Sequence, residues 1–180
     1  MQRVFRAAMA ALFWLVLPVA VHARPAVGEP ARSAEGLSTM SVAQARGYAG
    51  SSGGTVRKVE DLDDGTYEMT IDYPDEIPVY LTGYECAGAG EAKKCSAFML
   101  TSYFGFDTEA EARAMEHRLD INWLSDSQIG LQLQVWRYEF VDGSTDHHMA
   151  ATFETFVDCV RAAINIVYPE TPDGQTPKPA

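Results

Sequence analysis

Two cysteines flanked by apolar runs constrain the fold of this chain more than any other feature. Eight residues separate Cys86 from Cys95 within the stretch 79–106, which reads VYLTGYECAGAGEAKKCSAFMLTSYFGF. The residues between the cysteines are Ala, Gly, Glu and Lys, and two apolar runs joined by such a loop are typical of a β-hairpin. The stretch therefore predicts two antiparallel strands with a cysteine at each end of the loop.

The first residues predict export across a membrane. Two arginines precede an apolar run of fifteen residues, 7–21, and small residues occupy positions 21 and 23. This is the pattern of a secretory signal peptide, and the run is shorter than the roughly 20 residues that span a bilayer. We therefore predict a signal peptide over 1–23, cleaved after Ala23, with no transmembrane segment after its removal and a periplasmic or secreted location.

The predicted compartment bears directly on the cysteines. Thiols are oxidised outside the cytoplasm, so we predict a disulfide between Cys86 and Cys95. It would close a loop of about ten residues and stabilise the fold by about 2.7 kcal/mol. The spacing differs from the C-x-x-C of thiol oxidoreductases. Cys159 is left over; it reads as a small buried apolar side chain, with an intermolecular disulfide as the alternative.

The charge of the chain restricts its partners. The formal net charge is −11, and removal of residues 1–23 takes away two arginines and no acid, which leaves −13. Nucleic acids and anionic membrane surfaces both require a basic face on the protein. We therefore expect neither as a partner. Another protein or a peptide is the expected partner, and a homodimer stays open.

The rest of the sequence divides into a linker, one domain and a tail. Residues 24–37 are rich in Pro, Gly, Ala and Ser, which predicts a flexible linker. Residues 38–168 carry the periodic apolar patterns of a single domain. Residues 169–180, PETPDGQTPKPA, predict a disordered tail.

The periodic patterns predict an α+β fold. Its order is α-β-β-β-β-α-β-α, with an antiparallel sheet of about five strands and helices packed mainly on one face. Helices are predicted over 38–48, from 107 or 108 to 122 or 123, and from 144 or 145 to 168. Strands are predicted over 55–60, 66–73, 79–85, 95–104 and 128–141.

Three of the strands have informative patterns. Apolar and polar residues alternate cleanly over 66–73, which is typical of an antiparallel strand with one wet face. The strand at 95–104 is apolar on both faces, which predicts a place near the centre of the sheet. In 128–141 the apolar side changes near Val135. Either a bulge puts all the apolar residues on one side, or each face is half covered.

Start signals and apolar spacing define the two later helices. Thr108 and Glu111 match the capping box T-x-x-E. In the last helix six apolar residues recur at steps of three or four, which predicts a buried stripe and a main source of stability. These residues are Met149, Phe153, Phe156, Val160, Ile164 and Val167.

No group of residues in the sequence meets the spacing of a catalytic or metal site. The Gly-rich segment 50–54 lacks the lysine of a P-loop, and the acids within 61–64 miss the calcium-loop pattern. His147 and His148 are adjacent, so on a helix they point about 100 degrees apart and cannot easily share a metal. We therefore expect no enzymatic activity, no catalytic residue, no cofactor and no metal.

Several landmarks together carry a resemblance to a known family. They are Gly47-Tyr48 at the end of the first helix, the cysteine hairpin, the stretch CSAFMLTSYFGFDTEAEARAMEHRLDINW, and the strand LQLQVWRYEF before Asp142-Gly143. Over roughly 39–168 the chain resembles the YbjN family of bacterial sensory transduction regulators. The resemblance implies an α+β fold similar to type III secretion chaperones and a role in regulation or protein binding, and it brings no catalytic residues.

The chain departs from the YbjN pattern in one place. Members of the family often have a hairpin between the middle helix and the last helix. Here roughly twenty residues lie between Trp123 and Ser144. The resemblance therefore implies that one strand pairing is shortened or lost, which puts a shared binding groove in question.

Two hypotheses of function follow. The first is an exported, non-enzymatic regulator or chaperone-like module that binds another protein or peptide. The second is a periplasmic small-ligand sensor with a pocket of aromatic side chains. A large exposed apolar patch would favour the first, and an enclosed pocket with convergent polar groups would favour the second. The pocket residues would be Tyr67, Tyr84, Tyr103, Trp136 and Tyr138.

Overall fold

A computed structural model describes residues 36–62, 65–74, 77–116, 118–119 and 123–169 of the chain. The signal peptide predicted over 1–23 lies outside these residues. So do most of the predicted linker and all but the first residue of the predicted tail. Among the described residues, no helix combines the length and the apolar character that a bilayer crossing requires.

The described residues form seven strands, three α-helices and one short 3-10 turn. The strands are β1 (Met40–Ser41), β2 (Thr55–Asp61), β3 (Tyr67–Asp72), β4 (Pro78–Ala87), β5 (Lys94–Gly105), β6 (Ser125–Ile129) and β7 (Gln132–Phe140). The helices are α1 (Val42–Ser51), α2 (Glu109–Met115) and α3 (Asp146–Val167), and the 3-10 turn is Gly90–Ala92.

The strands make one antiparallel sheet with β5 at its centre. The order across the sheet is β2-β3-β4-β5-β7-β6, and the short β1 pairs with the start of β5. The apolar strand predicted over 95–104 is therefore central, as its sequence indicated. The mixture of helices with an antiparallel sheet confirms the predicted α+β class.

The cysteine hairpin is present, and its disulfide is formed. Cys86 lies directly opposite Cys95 in the pairing of β4 with β5, and the two side chains are joined as predicted. Met40 of β1 pairs with Cys95 from the other side. The disulfide therefore lies where three strands meet, and it joins the end of β4 to the start of β5, the strand with which β1 pairs.

The single strand predicted over 128–141 is wrong, because the segment is a hairpin. Strands β6 and β7 pair antiparallel, with Ile129 opposite Gln132. The turn between them contains Gly130, whose φ of 58° lies in the left-handed region that favours glycine. No bulge occurs near Val135, because β7 pairs with β5 in unbroken register. The pairing that the family resemblance implied to be shortened or lost is thus present.

Helix α3 covers one side of the sheet with the stripe that its spacing predicted. Five of the six predicted residues are buried, and Ile164 is half-buried. The ring of Phe153 contacts those of Phe98 on β5 and Tyr48 on α1, with centroids 5.8 Å apart in both pairs. Each large apolar side chain buried here contributes about 1.5–3 kcal/mol to the hydrophobic stabilisation of the fold.

Helix α1 begins later than predicted and continues past Gly47. Its N-cap is Ser41, which forms a capping box with Gln44; the cap follows β1 directly, so the strand fixes where the helix starts. The hydroxyl of Tyr48 donates a hydrogen bond to Asp146 in the first turn of α3. Burial and this carboxylate both raise the pKa of Tyr48. The contact ties the first helix to the last.

Helix α2 has the predicted capping box but is shorter than predicted. Thr108 and Glu111 cap each other's backbone, and the helix ends at Met115. Glu116 leaves the helical backbone, with φ −54° and ψ 130°, and its carboxylate accepts a hydrogen bond from the amide of Gln128 on β6 at 3.3 Å. This bond to the sheet accompanies the early end of the helix.

The ordered domain includes the end of the segment predicted as a linker. Leu37 and Ser144 form an isolated antiparallel bridge, in which the Leu37 amide donates to the Ser144 carbonyl at 2.6 Å. A side chain at Gly36 would lie 2.8 Å from the Cα of Gly143. The chain thus enters the domain beside the turn that precedes α3.

Candidate functional site

The two sides of the sheet have different surroundings. Side chains alternate along each strand, and residues directly opposite each other on paired strands point to the same side. One side carries the row Met69, Leu81 and Leu100, which belongs to the buried core with α1 and α3. No described helix covers the other side, which we call the open face.

The open face is formed by three adjacent strands, β4, β5 and β7. Its residues lie in three rows across these strands, and each row ends in at least one aromatic side chain. The rows are Tyr80–Thr101–Trp136, Thr82–Met99–Tyr138 and Tyr84–Ala97–Phe140, with Tyr103 and Gln134 in the next row beyond the first.

The aromatic rings of the open face contact one another across strands. The ring of Tyr138 lies 5.7 Å from that of Tyr84 on β4 and 5.2 Å from that of Phe140 on its own strand. The rings of Tyr80 and Tyr103 lie 5.6 Å apart at the other end of the face, edge to face. These separations are typical of stabilising aromatic pairs, so the rings hold one another in place on the surface.

Small side chains on the central strand lie beneath the larger ones. Ala97 and Thr101 on β5 are 0% and 1% exposed, although no described helix covers them. Phe140, by contrast, is 66% exposed and Tyr138 36%. The hydroxyl of Thr101 has no hydrogen-bond partner among the described residues. The outer surface of the face is therefore made of ring faces and edges.

Four of the five aromatic residues predicted to share a pocket are on this face. Tyr84, Tyr103, Trp136 and Tyr138 lie on it together. Tyr67 does not, because it lies opposite Gly83 on the helix-covered side and is fully buried. The predicted set is therefore corrected to an exposed surface without Tyr67.

Three large apolar or aromatic members of the face were not among the predicted residues. They are Tyr80, Met99 and Phe140. The sequence carried a signal for the first, since Tyr80 precedes Tyr84 by four residues on a strand and such residues share a side. The sequence carried a signal for Phe140 as well, because Trp136, Tyr138 and Phe140 occupy every second position of one strand.

Most charged groups at the β2–β3 border of the open face are paired with each other. The Nζ of Lys58 lies 2.5 Å from Oε1 of Glu60, and the Nε of Arg57 lies 3.5 Å from Oδ2 of Asp72. Glu68 is different. It lies opposite Thr82 in the middle row, and none of the ion pairs among the described residues includes it.

The carboxylate of Glu68 affects the pKa of Tyr103, an aromatic residue of the open face. Burial raises the pKa of Tyr103, the hydrogen bond from Gln134 at 3.2 Å lowers it, and the carboxylate of Glu68 raises it. Tyr103 therefore stays neutral at physiological pH. Lys94 is a cation of the same strand, at the end of β5 remote from Tyr103. The acid lies in the middle row of the face, beside Thr82.

Other parts of the described chain have fewer features of a binding or catalytic site than the open face. A shallow depression of about 280 Å³ between α2 and the end of α3 is lined by Phe106, Met115 and Val167, among others. No cluster of three potential metal ligands occurs among the described residues. His147 and His148 are exposed.

The third cysteine is neither fully buried nor paired within the chain. Cys159 is a half-buried free thiol. Burial, and secondarily the charge of Asp158, raise the pKa of this thiol. A raised pKa lowers the thiolate fraction at neutral pH, so Cys159 is a weak nucleophile.

Comparison with known proteins identifies no relative, since no family model, no curated protein and no solved structure matches the chain. The resemblance to the YbjN family therefore stays a prediction.

Proposed function

We propose that this protein is an exported, non-enzymatic module that binds another protein or peptide through the open face. The observation that carries the proposal is the group of aromatic rings on a sheet side that no described helix covers. An exposed apolar patch of this kind marks interaction sites in proteins. Tyr and Trp are also the residues most enriched among the energetic centres of protein interfaces.

The form of the site favours a macromolecular partner over a small ligand. Small-molecule sites are concave and surround most of the ligand. The aromatic rings here lie on the outer side of a sheet, and Phe140 is 66% exposed. A segment of chain laid across the three rows would contact every ring, whereas a small molecule would cover only a few.

Two observations support export and a role outside the cytoplasm. The first residues match a signal peptide, and Cys86 and Cys95 form a disulfide, a bond that persists in oxidising compartments. A regulatory or chaperone-like role fits the resemblance to the YbjN family. Such a role needs a binding surface and no catalytic group.

The proposal is tested by capture with matched surface variants. The processed protein is immobilised and exposed to a periplasmic extract, and the captured proteins are identified by mass spectrometry. The test variant is Tyr138→Ser combined with Phe140→Ser. The control is Ile166→Ser, which removes an apolar side chain that is 42% exposed on α3.

We expect the wild type and the Ile166→Ser control to capture the same partners and the double variant to lose them. Circular dichroism and thermal unfolding establish that all three proteins are folded. Retention of the same partners by the double variant would refute the open face as the site. A thermal shift with a small molecule, lost in the double variant while no protein is captured, would instead favour the ligand sensor.

A further inference from the structure

We infer that the open face binds a positively charged, extended peptide segment, whose Arg or Lys side chains stack on the tyrosine rings and reach Glu68. This inference rests on the proposed function and names the chemistry of the partner. Three observations lead to it: the ring faces, the position of the acid and the charge of the whole chain.

The rings supply the first part of the complementarity. The face of an aromatic ring attracts a cation, and Arg guanidinium groups stack on Tyr and Trp most often. The chain already shows this contact on the other side of the sheet, where the guanidinium carbon of Arg137 lies 4.8 Å from the ring centre of Trp123. On the open face Trp136 and Tyr138 present rings, and no arginine of the described residues is stacked on them.

The second part is the acid in the middle row. Glu68 lies on β3 beside Thr82, in the same row as Met99 and Tyr138. The other acids at this border, Glu60 and Asp72, are already paired with bases. A cation on the ring of Tyr80, which lies on the neighbouring strand and diagonally from Glu68, is therefore close to a carboxylate that lacks an ion-pair partner among the described residues.

The third part is the net charge. At −11 over the full chain, the protein attracts cations over the range of a Debye length and repels anions. The same charge works against a second copy of this chain as the occupant, because two copies repel each other. An acidic peptide would meet Glu68 as well as the overall charge.

The shape of the site indicates an extended segment. The open side of β5 between Ala97 and Tyr103 is about 20 Å long, which matches an extended peptide of about seven residues. Alternate side chains of such a peptide point to the same side, so every second residue would face the rings. A peptide with a cation at every second position is the simplest match.

The experiment uses two peptides that differ only in charge. The first is a blocked, fluorescently labelled peptide of alternating Arg and Ser, and the second replaces each Arg with citrulline, which keeps the planar shape and removes the charge. Binding to the processed, disulfide-bonded protein is measured by fluorescence anisotropy. The protein variants are Glu68→Gln, the matched control Glu154→Gln at an exposed position on α3, and Tyr138→Ser.

We expect the Arg peptide to bind at least tenfold more tightly than the citrulline peptide. Loss of the Tyr138 ring should weaken binding roughly two- to fivefold, the usual worth of one exposed cation–π contact. Glu68→Gln should weaken binding, and Glu154→Gln should leave it unchanged, although both change the net charge equally. Binding should weaken as salt is raised from about 0.1 M to about 1 M.

Several outcomes would overturn the inference. Equal binding of the two peptides would remove the role of charge. Equal weakening by both glutamine substitutions would reduce the effect to nonspecific attraction. Self-association that depends on Tyr138, seen by sedimentation, would make a second copy the occupant. If the Arg peptide fails to bind while capture of a partner still depends on the open face, this inference fails and the proposed function stands.

Discussion

The buried hydroxyl of Tyr67 makes a sharp prediction about stability. Tyr67 is fully buried, and its hydroxyl has no hydrogen-bond partner among the described residues. Its ring occupies the space over Gly83, where a Cβ would lie 2.7 Å from Cδ1 of the ring. The ring is thus part of the packing, while the hydroxyl is removed from water and receives no hydrogen bond from the described part of the chain.

The substitution Tyr67→Phe keeps the ring and removes only the hydroxyl. A buried polar group without a partner costs about 1–3 kcal/mol, so the free energy of unfolding should rise by up to that amount. In a chain of this size, each kcal/mol raises the midpoint of thermal unfolding by about 2–4 °C. Chemical and thermal denaturation with the disulfide intact measure the change.

The matched control is Tyr73→Phe. Tyr73 is also buried, but its hydroxyl forms a hydrogen bond of 2.8 Å with Oγ of Ser52. Its removal should therefore lower the free energy of unfolding by about 0.5–1.5 kcal/mol. A loss of stability in Tyr67→Phe similar to that in Tyr73→Phe would refute the reasoning, because it would mean that the Tyr67 hydroxyl has a partner.

Three further predictions concern the disulfide, a glycine and a tyrosine. Replacement of Cys86 and Cys95 by serine should lower the free energy of unfolding by about 2.7 kcal/mol, and an unchanged denaturation midpoint would contradict the value. Gly83→Ala should cost about 1–3 kcal/mol, because its Cβ would lie 2.8 Å from Sγ of Cys95; thermal unfolding should show no such loss for Gly47→Ala, which meets nothing within 4 Å. Because the pKa of Tyr48 is raised in the fold, its contribution to stability is complete below the ordinary tyrosine pKa of about 10 and falls as pH rises above it. Urea unfolding across that range should show a shallower fall for Tyr48→Phe, and an equal fall would exclude this tyrosine as the cause.

Local patterns in the sequence were sufficient to predict the strands and helices whose form does not depend on contacts with other elements. The alternation over 66–73 needs only one buried face, and β3 follows it. The stripe on α3 and the cap at Thr108 are also local, and both are present. The disulfide was predictable because loop length and compartment together restrict how two cysteines pair.

The hairpin β6–β7 escaped prediction because its turn has one weak signal. Gly130 lies between apolar residues, so the segment reads as one long strand. In the folded chain β7 pairs with β5 on one side and with β6 on the other, and Leu131 is exposed in the turn. The reversal of the chain between β6 and β7 depends on tertiary contacts, and the apolar periodicity of the segment does not reveal it.

The open face could be predicted only in part. The alternation of Trp136, Tyr138 and Phe140 places these three on one side of a strand. It does not tell which side the helices cover, because β7 carries apolar residues on both. That choice is set by the pairing with β5, where Leu133 joins Phe104 under α3 and the aromatic residues join the opposite side.

The position of α3 in the chain has a consequence for synthesis. All seven described strands precede this helix in sequence, yet together with α1 it covers the core side of the sheet. A chain made from its N-terminus therefore cannot complete this core until α3 has been translated. If the first residues direct export, as their pattern predicts, the chain therefore lacks part of its core while translation is under way, and its folding is completed only after α3 has been made.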